Sequence, residues 1–335
     1  MTGSLPRHRL GRTDAWVTPV GFGGASLGNL YRETTETEAE GAVSAAWDEG
    51  IRAFDTAPHY GLGLSERRLG AALAAYPRDE YQVSTKVGRL LVPNPNPGGQ
   101  DESFAVPDDL MREWDFSRDG VRRSLESSLQ RLNLDRIDTV FVHDPDVAYA
   151  GAAREGLEAL AELKAEGLVT AVGVGTNDSA GLAELLDDGL IDVVMLAGRY
   201  TLLEQGALES VLEPAVAAGA SVIAVAVYNS GLLAAPRPPA DATYDYQPAP
   251  AELLARANRL ADACERHGVT LPEAALAFPL RHPAVVAVAL GMRNATQVRQ
   301  NVERFRAEVP EALWSELVAD GLVDPRAIAA ESRGV

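Results

Sequence analysis

Apolar residues along this chain follow two alternating rhythms. Short continuous runs occur at Val20–Gly23, Ile51–Phe54, Tyr81–Thr85, Ile137–Val142, Val169–Val174, Val193–Leu196, Val222–Val227 and Val285–Leu290. Consecutive apolar positions mark strands buried on both faces. Between them lie stretches with apolar residues three and four apart: Glu36–Glu49, Ser65–Ala75, Ser117–Leu132, Ala152–Glu166, Ala180–Asp187, Gln205–Ala218, Ala251–His267 and Ala295–Ala307. That spacing predicts amphipathic helices. Gly50, Gly167, Gly219 and Gly268 stand just past four of them, where a left-handed residue ends a helix. Successive strand–helix units predict parallel strands joined by right-handed crossovers. Eight such units favour closure into a (β/α)8 TIM barrel over an open doubly wound sheet, as one domain spanning residues 1–335.

Some segments fall outside the repeat. Arg9–Trp16, around Gly11 and Asp14, predicts a small hairpin capping the barrel bottom. From Pro310 onward the pattern predicts an extra helix and a final segment. Gly88–Phe116 and Asn229–Pro250 are broken by Pro93, Pro95, Pro97, Pro236, Pro238 and Pro239. They predict long irregular loops overhanging the mouth and covering a ligand.

Composition narrows the partners. The 48 acidic and 30 basic residues give a net charge of −18. Such a surface repels polyanions, which excludes general nucleic-acid binding and anionic membrane surfaces. Any ligand phosphate must then be met locally, by backbone amides or a few placed cations. Cys264, the one cysteine, lies in a helical stretch and reads as inert packing. No intrachain disulfide can form, and no leader or spanning run is visible, so a cytoplasmic protein is expected. No metal site is expected.

In such a barrel, catalytic groups stand at the C-terminal ends of strands. Asp55 follows the second run, Tyr60 lies in the same loop, Lys86 follows the third and His143 the fourth. Taken singly, each has a plain structural reading: a helix cap, a packed ring, a solvated charge, a hydrogen-bonded histidine. Together they end three adjacent strands and can converge. A buried ammonium would lower the phenol's pKa from near ~10 toward neutrality, with Asp55 as its counter-ion. His143 would orient a substrate oxygen or relay a proton. The group suits a reaction that makes or consumes an oxyanion, such as hydride transfer at a carbonyl.

Gly50-Ile51-Arg52-Ala53-Phe54-Asp55-Thr56-Ala57-Pro58-His59-Tyr60-Gly61, followed by Ser65-Glu66 and Leu69-Gly70, resembles the signature of the aldo-keto reductases. Ser84-Thr85-Lys86 and Val142-His143 resemble that family's other catalytic segments. The likeness runs from about Leu10 to Glu303. It implies a tetrad of Asp55, Tyr60, Lys86 and His143, and substrate contact by His59, Tyr60, His143 and Trp114.

Phosphate sites in these barrels favour the loops after the last two strands. Gly291-Met292-Arg293-Asn294 precedes a helix opening near Ala295, whose free N–H groups suit an anion. Gln297 and Asn301 share one face of that helix. This segment resembles the family's adenosine site, and Asn229, Ser230, Gly231 and Leu232 resemble its pyrophosphate-covering loop. Gly21-Phe22-Gly23-Gly24 lacks the third glycine of a Rossmann turn, and no helix is expected directly after it. The resemblance instead places Gly23, Gly24 and Asp55 near a nicotinamide. At the nicotinamide pocket the chain departs from the family. Thr176 or Asn177 replaces a Ser-Asn pair, Met195 and Ala197 stand where a glutamine is usual, and Val225 replaces a tyrosine, with Tyr228 nearby. Arg293 would hold the 2′-phosphate of NADP or stack on adenine; the resemblance inclines to NAD.

Trp114-Asp115-Phe116-Ser117, His143-Asp144-Pro145-Asp146 and the 197–205 segment resemble the family's aldose 1-dehydrogenases and pyridoxal 4-dehydrogenases. These imply oxidation of a cyclic hemiacetal, sugar or pyridoxal, to its lactone. Generic aldehyde or ketone reduction is a second reading. A non-catalytic cofactor-sensing protein is a third, which the intact tetrad disfavours.

Overall fold

The computed structural model describes residues 5–244 and 247–328. Eight parallel strands form a closed barrel: β1 Val20–Gly23, β2 Ala53–Asp55, β3 Gln82–Val87, β4 Ile137–His143, β5 Val169–Thr176, β6 Val193–Ala197, β7 Ser221–Val225 and β8 Val285–Gly291. Helices pack outside, among them α1 Glu36–Asp48, α2 Leu64–Leu73, α3 Arg118–Leu132 and α4 Ala152–Ala165. All eight strand runs seen in the sequence are strands here. Gly50, Gly167, Gly219 and Gly268 have positive φ, as helix ends require.

The barrel interior is filled at its N-terminal end by Phe141, Val193, Met195 and Ile223, with Leu10 and Val17 of the N-terminal hairpin closing it from below. His8–Arg9 pairs with Trp16–Val17. Its ring nitrogen and the Gly11 amide reach Val286 O and Ser221 Oγ, at 3.0 and 2.8 Å. This end is plugged, so chemistry is confined to the other.

Within β5, glycine is required by a close approach rather than by a turn. A Cβ on Gly173 would meet Val193 O of the next strand at 1.7 Å. Gly173→Ala is expected to lower stability by about 2–3 kcal/mol, as overpacking does, read as a shifted urea midpoint. An unchanged midpoint would contradict this packing.

The structure corrects several expectations. The 88–116 segment is no irregular loop: Arg89–Pro93 and Leu110–Trp114 form an antiparallel hairpin over the mouth. The 205–218 helix is broken into a π-helical turn, Leu208–Leu212, and a short helix, Glu213–Ala218. Pro214 has no N–H to donate, so the ordinary ladder cannot run through it. A short 3-10 turn, Gly24–Gly28, does follow β1. β7 stops at Val225 because Ala226 is left-handed, with φ 53°. Helix Leu271–Ala277, opened by a Thr270–Glu273 capping box, was not expected. The tail helix is Glu311–Ala319; the final segment beyond Ile328 lies outside the described residues.

Candidate active site

Strand register brings the polar residues together. Asp55 sits beside Ser84, Lys86 beside Phe141, and His143 beside Gly175. Ser84 and Lys86 are two apart, as are Phe141 and His143, so each pair points to one face. Phe141 lies in the interior cluster, which makes that face the inside of the barrel. Asp55, Lys86 and His143 belong to the strands themselves rather than following them. Gly175 lies against the lysine stem, where a Cβ would make ordinary contact with Lys86 Cε at 3.7 Å.

The buried Lys86 ammonium donates to Asp55 Oδ2 at 2.6 Å and to Thr56 O at 3.0 Å. Asp55 Oδ1 accepts from Ser84 Oγ at 2.7 Å. Lys86 Nζ lies 4.7 Å from the centre of the Tyr60 ring. Burial works against the ammonium, but Asp55 and Tyr60 outweigh it and hold its pKa above the ordinary value.

Tyr60 is carried on a turn pinned by glycine. A Cβ on Gly61 would lie 2.3 Å from Gly28 O, and Gly61 has φ 62°, so two backbones touch behind the tyrosine. Burial raises the Tyr60 pKa; Lys86 lowers it and Asp55 raises it again. This corrects the expected acidity. The neighbouring cation does act as predicted, yet desolvation outweighs it while Asp55 neutralises much of its charge.

The His143 and Tyr60 rings stand 5.9 Å apart, edge to face, and His59 is 5.6 Å from His143. Burial first, then the nearby cations, holds His143 well below its ordinary pKa. The same causes lower His59 to about 3. Both rings are therefore neutral at pH 7. His143 Nδ1 is buried with no hydrogen-bond partner among the described residues.

The hairpin adds a wall that single-residue reasoning missed. Arg89 pairs across it with Trp114, and Leu91 with Arg112, so the four share one face. Arg89 bonds Asp144 and lies 4.5 Å above the Trp114 ring. Arg112 bonds Asp101 and donates to His59 O at 3.0 Å. Phe104 packs edge-on to His59 at 5.2 Å. No alternation marks these strands, which read Arg-Leu-Leu-Val-Pro and Leu-Met-Arg-Glu-Trp, so the sequence carried no period-two signal for them.

The remaining mouth loops hold the residues picked out for a cofactor. After β7, Asn229 and Ser230 are left-handed, and Asn229 Oδ1 is buried without a partner among the described residues. Leu232 is fully buried in the core, whereas Gly231 is exposed. The helix Ala295–Arg306 is capped by Asn294, which accepts from the Gln297 amide. Gln297 in turn accepts from the Arg293 amide, while Asn301 is buried against Tyr228 Oη at 3.1 Å. Thr176 Oγ1 donates to Asp146 at 2.5 Å, and Asn177 is exposed. A Cβ on Gly24 would lie 2.6 Å from Asp55 O. Arg293 is not free: its guanidinium reaches Leu30 O, Arg32 O and the Thr34 hydroxyl.

Residues 19–319 match the Aldo/keto reductase family. The chain belongs to that family. It is 46% identical to the D-threo-aldose 1-dehydrogenase of Pseudomonas sp, covering 92% of this chain and 95% of that one. It is 38% identical to the pyridoxal 4-dehydrogenase of Microbacterium luteolum, covering 95% and 98%. A holo-form aldo-keto reductase from Bacillus halodurans has the same fold, with TM-score 0.76, 25% identity and coverage of 98% and 99%. This aldo/keto reductase is thus an NAD(P)-dependent oxidoreductase. No helix among its described residues is long and apolar enough to cross a membrane.

Proposed function

We propose that this aldo/keto reductase oxidises a cyclic hemiacetal, an aldose or pyridoxal, to its lactone in the cytoplasm, with NAD as co-substrate. The observation carrying this reading is the buried Lys86 ammonium, held between the Asp55 carboxylate and the Tyr60 ring. Lactone formation removes a hydride from the anomeric carbon and a proton from its hydroxyl. A nicotinamide, when bound, would supply the hydride acceptor. Tyr60, as phenolate, takes the proton. Lys86 stabilises that phenolate, and Asp55 keeps Lys86 charged and aimed. Neutral His143 orients the hydroxyl by hydrogen bonding.

The mouth suits a dinucleotide. Gly23 pairs with Asp55 in the barrel wall, the buried Gly24 packs its Cα against Asp55 O, and the orphaned Asn229 Oδ1 offers an acceptor. Gly291 precedes a helix start where Asn294 and Gln297 take the Gln297 and Arg293 amides, so an anion would meet the Ala295 and Thr296 amides. Tyr228, Asn229, Ser230, Gly231, Gly291, Gln297 and Asn301 would hold the cofactor, with Thr176 and Asn177 at the carboxamide. Engagement of Arg293 by the 30–34 segment removes it as a free partner for a 2′-phosphate and supports NAD over NADP.

The test is NADH absorbance on mixing protein, NAD and either L-fucose or pyridoxal, with NADP as comparator. Formation of NADH with a higher kcat/KM for NAD is expected. No turnover with any hemiacetal would sink the reading; a strong NADP preference would overturn the cofactor assignment.

A further inference from the structure

We propose that Arg89 and Asp144, braced by Trp114, form a subsite for two adjacent hydroxyls of a neutral polyol, so that the substrate is an unphosphorylated aldose. This rests on the hemiacetal reading above. Asp144 directly follows His143, and its Oδ2 lies 3.5 Å from His143 Nε2. A ligand bridging Asp144 is therefore next to the reacting group. Asp144 is left-handed, with φ 41° and ψ 55°. Aspartate adopts this region more readily than most residues with a Cβ.

The hydrogen-bonding capacity here is only partly used. Asp144 Oδ2 accepts from Arg89, and its side chain remains 31% exposed. Arg89 offers five N–H donors in a fixed fork. Its Nε is buried with no partner among the described residues. Its Nη1 has only long contacts, 3.4 Å to each ring nitrogen of His59. The Trp114 ring, 4.5 Å from the guanidinium carbon and stacked on Phe116, fixes the fork's plane.

Charge selects among ligands. Arg89 is neutralised by Asp144 and Arg112 by Asp101, while His59 and His143 are neutral. The rim therefore has no spare positive charge for a phosphate or carboxylate. It does present a donor fork beside a carboxylate acceptor. Adjacent hydroxyls, each both donor and acceptor, match that pair; a phosphate, which only accepts at its charged oxygens, does not.

The experiment measures kcat/KM of the wild-type protein with NAD for L-fucose, its monodeoxy analogues, an aldose phosphate and pyridoxal. Loss of either of two neighbouring hydroxyls is expected to lower kcat/KM by about 10- to 100-fold, the range for one hydrogen bond to a charged group. The aldose phosphate is expected to be poorer still. In Asp144→Asn and Arg89→Gln the parent sugar loses rate and the deoxy penalties shrink toward none. Equal kcat/KM for all monodeoxy analogues would overturn the subsite, as would penalties unchanged in both variants. Turnover of pyridoxal without any aldose would leave hemiacetal oxidation standing and overturn the subsite alone. Absence of turnover with every hemiacetal overturns both.

Discussion

Tyr60→Phe is expected to lower kcat by about 10²- to 10⁴-fold, the contribution of one placed acid or base, while cofactor affinity stays near wild type. Phenylalanine keeps the ring that packs near Phe104 and His143, so the turn pinned by Gly28 and Gly61 is retained. Only the group that takes the proton is removed. Stopped-flow turnover and fluorescence titration with the cofactor separate the two effects. Near-normal turnover would refute the proton role. The wild-type pH profile adds a sign. Burial raises the Tyr60 pKa, so at neutral pH the proton is mostly on. Oxidation needs the phenolate, so kcat/KM should climb as pH rises from 7 toward 10, and the reverse reduction should fall. A flat profile would assign the base elsewhere.

Lys86→Met is expected to damage both stability and rate. Asp55 would keep its buried carboxylate with only the Ser84 hydroxyl to satisfy it. Removing one partner of a buried ion pair costs about 3–5 kcal/mol. Turnover should fall as well, because nothing then offsets the burial that raises Tyr60. The double variant Lys86→Met/Asp55→Leu distinguishes the two losses. It removes the stranded charge, so most of the stability should return, while turnover should not. Urea midpoints and kcat on the three proteins check this. Activity restored along with stability would mean that Lys86 only supports the fold.

Much of the barrel was legible because its parallel strands are buried on both faces. Val285–Leu290 and Val169–Val174 carry that signal without help from neighbours. The mouth hairpin was missed because its strands, such as Leu110–Trp114, are short and half-exposed, and its prolines resemble loop punctuation. The break near Pro214 was likewise hidden inside a good helical pattern.

The sequence alone determined the order of the eight barrel strands and of most helices between them, and that Asp55, Tyr60, Lys86 and His143 fall at neighbouring strand ends. Local periodicity carries this information, since one turn or one strand suffices to express it. Tertiary structure decided which groups these residues meet and therefore their protonation. Lys86 and Asp55 are 31 positions apart, and Arg293 and Thr34 are 259 apart, yet each pair is in contact. Burial and charge act through space over a few ångströms, so the direction of the Tyr60 shift and the capture of Arg293 follow only once the chain is closed.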